Sequence, residues 1–499
     1  MATDSKKILL IQPLNTLSLN MYPPLNLIQI GTGLKQKGFD VHIVTCPTES
    51  DYRERILKEA GESLFVGISV LTPEVPEAVE IARNVKKQVS VPIVWGGWHT
   101  TLFPEQTAAS DLADKVIVDE GDVAIIQLAE AYSKSGDKTG NEKIIRSEEK
   151  LNMDLLPCPD YSLVPNIEQY MNAALPDKFL EYDTRKVRWL PYQASRGCPH
   201  RCAFCINVVT DNRNYRHKKA EKVVAELKTM VQQYAINHVK IIDDNLFVNL
   251  PWLKEIGKRL IDADLNITWD AECRVDYFND NRVNDETLEL LVRSGLNELN
   301  FGIESGSQRT LNLTKKDITP EQSLYALQKS AEFGIVNRCS FIIDLPGEEK
   351  EDILKTIDLV NKIRKIPKTT CGVHTYRPYP KSELCEGLLK EGLIRQPSSF
   401  EGWGNKDFVE QFTYTDAKRK WQKNYRLSNK VSFYQNLESG FWLRSHQISI
   451  KWIRKLNEIF INFARKRNQK FFYRISLDRL FFKLFRVCYF KYCQMKKMV

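Results

Sequence analysis

Short, continuous apolar runs alternate along the chain with longer stretches whose apolar positions recur every three to four residues. The runs KKILLIQ (6–12), FDVHIVT (39–45), LFVGISV (64–70), VPIVWGG (91–97) and KVIVDEG (115–121) predict strands. Between them, Leu27, Ile30 and Leu34 predict a helix over 25–38 stopped by Gly38, and two more are expected over 77–88 and 122–134. Alternation of this kind predicts a doubly wound, Rossmann-like α/β domain over residues 1–140. Ligands of such sheets sit at the carboxyl ends of the strands, so the candidate binding loops are Pro13–Pro24, Ser69–Glu74, Gly96–Phe103 and Asp119–Asp122.

Residues 141–186 are polar and are expected to be a linker. Six further strands are predicted at 187–195, 238–244, 267–274, 298–305, 336–347 and 368–378, with helices at 221–236, 251–263, 284–294, 319–333 and 349–365. Six βα units over 187–390 predict a partial (β/α)6 barrel with its chemistry at the strand carboxyl ends. Residues 391–499 form a C-terminal region; up to 450 it is mixed and aromatic and predicts no definite architecture.

A chain of 499 residues is long enough for two or three domains. Its 42% hydrophobic and 27% charged content exclude a disordered or fibrous protein. No run of about 18 apolar residues predicts a membrane span, and the amino terminus lacks a secretory pattern. A cytoplasmic location is therefore expected. The total charge of +9 is unevenly held: residues 451–499 carry eight Lys and six Arg against Glu458 and Asp478, a net of +12, leaving −3 for the rest. In this tail Leu456, Ile459, Phe460 and Phe463 recur at helical spacing, as do Leu477, Leu480, Phe481, Leu484 and Phe485. Such a segment either packs its aromatic face on the barrel or lies at the surface of an anionic membrane. Nucleic acid is the least favoured partner.

Eleven cysteines show one tight cluster, Cys198, Cys202 and Cys205, spaced C-x3-C-x2-C in SRGCPHRCAFCIN just after a predicted strand. In a reducing compartment such a cluster points to metal or redox chemistry. Three thiolates from one loop suit an iron–sulfur cube with one iron left open to chelate a substrate's amino and carboxylate groups. A zinc site, with His200 as a fourth ligand, and an incidental grouping are the alternatives. The other eight cysteines fit small buried hydrophobes.

The cysteine motif, with Phe204 before the last cysteine, resembles the radical S-adenosylmethionine (SAM) superfamily. YRHKKAEKVVAEL (215–227), IIDDNLF (241–247), FGIESGS (301–307) and DLPGE (344–348) continue the resemblance over about 210 residues. It implies a [4Fe–4S] cluster on the three cysteines that cleaves SAM reductively to a 5′-deoxyadenosyl radical. It also implies Phe204 near the adenine, Asp244 near the methionine amino group, and Glu304 and Ser305 near the ribose or methionine. From the residues alone, Asp243 or Asp244 could cap a turn, Glu304 could favour a helix start, and Arg274 could pair with an acid.

Ahead of the barrel, ISVLTPE (68–74), WGGWHTTLFPE (95–105) and VDEGD (118–122) resemble the cobalamin-binding (class B-type) branch of that superfamily. Gly96 and Gly97 would admit a large ligand close to the backbone. Ser69 and Thr72 offer hydroxyls, His99 is a candidate for the corrin edge or substrate, and Glu120 and Gly121 end the next strand. The loop after the first strand holds no histidine for cobalt, and His42 reads as an ordinary strand residue. The resemblance implies methylation of an unactivated carbon, one SAM methylating cobalamin and a second generating the radical. The rivals are cobalamin-assisted cyclisation, rearrangement or oxidation without methyl transfer, and a non-catalytic cluster- or cobalamin-binding sensor. The expected partners are a small-molecule or lipid-like substrate and an electron donor such as flavodoxin or ferredoxin.

Overall fold

The computed structural model describes residues 6–15, 22–135, 142–147, 150–172, 187–210, 212–405, 419–438, 451–471, 473 and 481–482. The chain divides into two compact units. The first comprises residues 1–176, 183–271 and 377–415; the second comprises 177–182, 272–376 and 416–499.

The first unit opens with a six-stranded parallel sheet: β1 (Lys7–Gln12), β2 (Asp40–Thr45), β3 (Phe65–Ser69), β4 (Ile93–Gly96), β5 (Lys115–Val118) and β6 (Ile144–Arg146). Their spatial order is β2-β1-β3-β4-β5-β6. Helices cover both faces of such a sheet, which is why its strands are continuous apolar runs; Ile8 to Ile11 are fully buried. The order reverses between β1 and β3, opening a crevice at their carboxyl ends. One helix, Tyr52–Ala60, was not apparent in the apolar pattern, because only its Ile56 and Ala60 are buried.

Residues 141–186, expected to be a linker, depart from that expectation where they are described. They supply edge strand β6 and three short turns of helix that bury Met153, Tyr161, Tyr170 and Met171. A three-residue edge strand and scattered aromatics have no period to detect.

The same unit holds β7 (Trp189–Tyr192), β10 (His238–Ile241) and β11 (Thr268–Cys273), parallel in the order β7-β10-β11, with helices Ala220–Tyr234 and Leu250–Ala263. A short antiparallel pair, β8 (Ser195–Arg196) with β9 (Arg216–His217), brackets the cysteine loop. Residues 397–404, for which no architecture was expected, also pack within this unit. Phe400 stacks edge-on against Trp95 at 4.7 Å, and Trp403 donates to Gln106 at 2.7 Å.

The second unit carries β12 (Leu296–Glu304), β13 (Val336–Ile343) and β14 (Thr369–Thr375), parallel in the order β12-β13-β14. Its helices include Asp285–Arg293, Pro320–Glu332, Lys350–Ile363, Tyr425–Glu438 and Lys451–Gln469. The helix Pro320–Glu332 starts at a capping box between Thr319 and Gln322. β13 stops at Ile343, short of the predicted 347, because Asp344 takes a left-handed conformation with φ +67°. Parallel strands separated by helices in both units agree with the expected α/β class and its barrel-type repeat. In the tail, Leu477, Leu480, Leu484 and Phe485 lie outside the described residues.

Candidate active site and cofactor cavity

The loop after β7 carries Cys198, Cys202 and Cys205. Gly197 turns the chain into it with φ +84°, a conformation glycine adopts without steric cost. Cys202 is buried and the other two are partly buried. Burial pushes the Cys205 thiol up to about 12 and also raises Cys198, with the neighbouring cysteines adding to both. Burial thus disfavours a free thiolate at Cys198 and Cys205, which a bound metal centre would stabilise. No three metal-ligating side chains among the described residues converge as they would on a single ion. Three thiol donors on one loop fit an iron–sulfur cube, where each takes a different iron and none need share a point.

Next to this loop, at the end of β10, two aspartates have different duties. Asp243 is buried and accepts from Ala194 N at 2.8 Å and Ser195 Oγ at 2.5 Å, tying β10 to the start of the cysteine loop. Burial raises its carboxyl to about 7, against the lowering effect of those two bonds. Asp244 accepts from Gly197 N at 3.1 Å and Asn207 Nδ2 at 2.6 Å, and its charge is felt at Cys198 and Cys205. Its carboxyl is raised by burial, so a positively charged group brought beside it would be strongly favoured.

The raised carboxyl of Asp243 has a measurable consequence. Its folded value lies above the unfolded one of about 4, so the stability it contributes is complete below about pH 4 and lost as pH rises through 7. Unfolding free energy should fall across this window by up to about 1.4 kcal/mol per pH unit from this group. Asp243→Asn should flatten the profile; chemical denaturation at pH 5 and pH 7 that shows equal slopes for both proteins would refute it.

The crevice at the β1–β3 reversal is a cavity of about 550 Å³. Strand ends of the N-terminal domain line one side, with Gln12, Ser69, Gly96, Gly97, Glu120 and Gly121; Gln193, Arg196, Ile242 and Asp244, from around the cysteine loop, line the other. A Cβ added at Gly96 would meet no protein atom, whereas one at Gly97, whose φ is +96°, would meet Val70 N and O at 2.7 Å. Gly96 thus leaves space for a ligand, while Gly97 permits close packing of β4 on the loop after β3. Gln12 Oε1 is buried in the wall with no hydrogen-bond partner, and Asn26 donates to Ser69 Oγ at 2.8 Å. Mixed apolar walls, an open glycine and an unpartnered amide oxygen fit a corrin with its amide fringe. No histidine is among the lining residues.

Two expected contacts lie elsewhere. His99 is fully buried outside the cavity lining, caged by Phe103, Phe400 and Trp403, and its Nδ1 is 3.1 Å from Thr72 Oγ1. Burial lowers its imidazole to about 3 and keeps it neutral. Neither His99 nor Thr72 faces the cavity; two of the aromatic partners, Phe400 and Trp403, come from a distant part of the sequence, which the local motif cannot reveal.

What the sequence pattern missed is the charge network at the rim. Arg196 pairs with Asp122 at 2.8 Å and with Glu120 at 3.4 Å, while Arg216 also binds Glu120. Burial works to raise the Glu120 carboxyl, but the Arg216 hydrogen bond and the two guanidinium charges outweigh it and hold it low. Arg196 precedes Gly197 and Cys198, so the network joins the loop after β5 to the cysteine loop.

In the second unit, Glu304 ends β12 with φ +68°, and its carboxylate folds back over Gly302 to accept from Lys316 at 3.1 Å. Ser305 corrects an expectation. Its hydroxyl is fully buried, 3.0 Å from Thr356 Oγ1, and accepts from Ser307 N at 3.1 Å; it closes the turn rather than presenting itself to a ligand. Arg274 pairs with Asp276 at 2.9 Å, the ion pair that was one alternative for it.

Comparison with known proteins agrees with this geometry. Residues 13–129 match the family model described as a B12 binding domain, and residues 192–360 match that of the radical SAM superfamily. An uncharacterised methyltransferase of Pyrococcus horikoshii is 29% identical over 391 residues, covering 74% of this chain and 80% of that protein. The anaerobic magnesium-protoporphyrin IX monomethyl ester cyclase of Rubrivivax gelatinosus is 26% identical over 436 residues, covering 83% of this chain and 74% of that protein. The solved structure of OxsB, a cobalamin-dependent SAM radical enzyme with aqua-cobalamin bound, shares the fold at a TM-score of 0.72 and 17% identity, covering 99% of this chain and 75% of that one. The chain belongs to the cobalamin-binding radical SAM enzymes. Its cofactors are a [4Fe–4S] cluster, SAM and cobalamin. The described residues include no helix long and apolar enough to cross a membrane.

Proposed function

We propose that this protein is a cobalamin-dependent radical SAM methyltransferase acting on an unactivated carbon of a small-molecule substrate. The observation that carries the proposal is the single cavity lined both by the B12-binding strand ends and by the residues around the cysteine loop. When bound, the cluster supplies the electron that cleaves the sulfonium, and the corrin supplies a carrier for the methyl group.

The chain's own residues have defined parts. Cys198, Cys202 and Cys205 hold the cluster, and Asp244 receives the methionine ammonium on a carboxylate that lacks a cation among the described residues. Phe204 packs beside the adenine, and Glu304, kept in place by Lys316, serves the methionine or ribose. Ser69, Gly96, Gly97, Glu120 and Gly121 shape the corrin cavity. Flavodoxin or ferredoxin supplies the electron. The enzyme works in the cytoplasm, with residues 451–499 in peripheral contact with the membrane and a lipid-like substrate compatible with that position.

The P. horikoshii relative bears a methyltransferase name and the R. gelatinosus relative a cyclase name, so the decisive experiment follows the methyl group. With methyl-labelled SAM, reduced holoenzyme and extract from the source cells, label should enter a product other than SAM-derived metabolites. Formation of 5′-deoxyadenosine with an altered but unlabelled substrate would replace methyl transfer by cyclisation or oxidation. No 5′-deoxyadenosine at all would leave a sensor.

A further inference from the structure

The helix Lys451–Gln469 departs from the usual distribution: several of its most buried residues are polar and three large apolar ones are exposed. Its buried positions are largely polar: Asn457 and Asn468 are 0% exposed and Arg467 6%, beside Ala464 at 0% and a half-buried Phe460 that packs on Phe482 at 5.2 Å. Asn468 Nδ2 donates to Tyr434 O at 3.1 Å and Glu438 Oε2 at 2.6 Å, while its Oδ1 accepts from Tyr473 OH at 2.9 Å. The Arg467 guanidinium lies 5.0 Å from the ring of Tyr434. Among exposed polar residues such as Lys455, Glu458, Asn462 and Lys466, three large apolar side chains also face outward: Trp452 is 67% exposed, Ile459 57% and Phe463 44%. Steps of seven and four residues place these three on one line along the helix. A helix that only covers a core shows the opposite arrangement. The expected face Leu456, Ile459, Phe460 and Phe463 is thus divided: Phe460 packs on Phe482 and Leu456 is half-buried, whereas Ile459 and Phe463 face outward together with Trp452.

We propose that this outer face docks on an anionic lipid bilayer, with the helix lying in the plane of the interface. Trp452, Ile459 and Phe463 enter the boundary between headgroups and acyl chains. Lys455 and Lys466, both exposed and each three residues beyond an apolar anchor, flank the line and meet the headgroups. Charge favours this occupant: residues 451–499 hold +12 while the rest of the chain holds −3, so attraction to an anionic surface is concentrated at this end. The same excess opposes a second copy of the segment. For nucleic acid, the two exposed rings lie about 16 Å apart along the helix with an aliphatic residue between them, which is no ladder for stacked bases. This inference specifies the membrane contact proposed above and is independent of methyl transfer.

The test is co-sedimentation of the full chain, loaded with cluster and cobalamin, with vesicles of phosphatidylcholine alone or mixed with phosphatidylglycerol. Binding should be at least roughly tenfold tighter to the mixed vesicles and weaken with salt. The triple variant Trp452→Ser, Ile459→Ser, Phe463→Ser should lose about tenfold or more on mixed vesicles while forming 5′-deoxyadenosine at the parent rate. Lys455→Gln with Lys466→Gln should reduce binding to mixed vesicles by about tenfold and leave phosphatidylcholine unaffected. If the triple variant loses 5′-deoxyadenosine formation, Trp452→Ser alone carries the comparison and should still weaken binding. The proposal is overturned if the parent stays in solution with mixed vesicles, or if the serine variants bind as well as it does. Loss of a parental oligomer in the triple variant without vesicle binding would assign the face to a second copy. Single-stranded RNA binding without vesicle binding would assign it to nucleic acid.

Discussion

Cys202→Ala is expected to abolish formation of 5′-deoxyadenosine from SAM, together with the iron–sulfur absorption of the reconstituted protein. A cube held by three thiolates loses a third of its protein ligation with this residue, and nothing nearby replaces it. Among the described residues the neighbouring carboxylates are already engaged, Asp243 with Ala194 and Ser195, Asp244 with Gly197 and Asn207. Serine in place of alanine should do no better, because a hydroxyl is a poor ligand for iron in this setting. The cavity lining contains none of the three cysteines, so cobalamin affinity of the variant should match the parent. Iron content, 5′-deoxyadenosine by chromatography and cobalamin titration measure the three parts separately. A variant that retains its cluster and its 5′-deoxyadenosine would remove Cys202 from the ligand set.

Arg196→Met is expected to produce the second large effect. Asp122 loses its guanidinium partner while remaining mostly buried, and Glu120 keeps only Arg216. Removing one partner of a mostly buried pair costs about 3 kcal/mol, chiefly from the charge left behind. The loop after β5 is then free to move relative to the cysteine loop, and cobalamin affinity should fall by roughly tenfold or more. Adding Asp122→Leu separates the two consequences. The double variant should recover most of the folding stability, because no unpaired carboxylate remains, yet still bind cobalamin weakly. Denaturant unfolding and cobalamin titration on both variants check this; recovery of affinity in the double variant would mean that Arg196 only neutralises Asp122.

Much of the architecture was written locally. Ile8 to Ile11 are apolar because a parallel strand is covered on both faces, and a four-residue apolar run says so without any long-range knowledge. The capping pair Thr319 and Gln322 marks its helix start within four residues. Elements that escaped detection had little local signal: the helix Tyr52–Ala60 buries only two side chains, and β6 is three residues long. Residues 391–405 were opaque for a different reason. The burial of Phe400 and Trp403 is decided by Trp95, His99 and Gln106, on the far side of the sequence.

The functional residues divide in the same way. Three thiols that share an eight-residue loop, and an aspartate at a strand end, are legible by themselves, since their chemistry depends on neighbours in the chain. The sequence alone therefore pointed to these thiols as the proposed cluster ligands, and it determined the barrel-type repeat and the domain ahead of it. His99 looked equally functional, but the cage built around it by Phe103, Phe400 and Trp403 leaves it neutral and turned away from the cavity. Arg196 drew no notice, yet it spans the gap between the two cofactor loops through carboxylates 74 and 76 positions earlier. The apolar stripe of the tail was visible as a period, but its direction was not. Periodicity identifies which residues share a face of a helix; only tertiary contacts, here the polar anchors Asn468 and Arg467, decide which face turns inward.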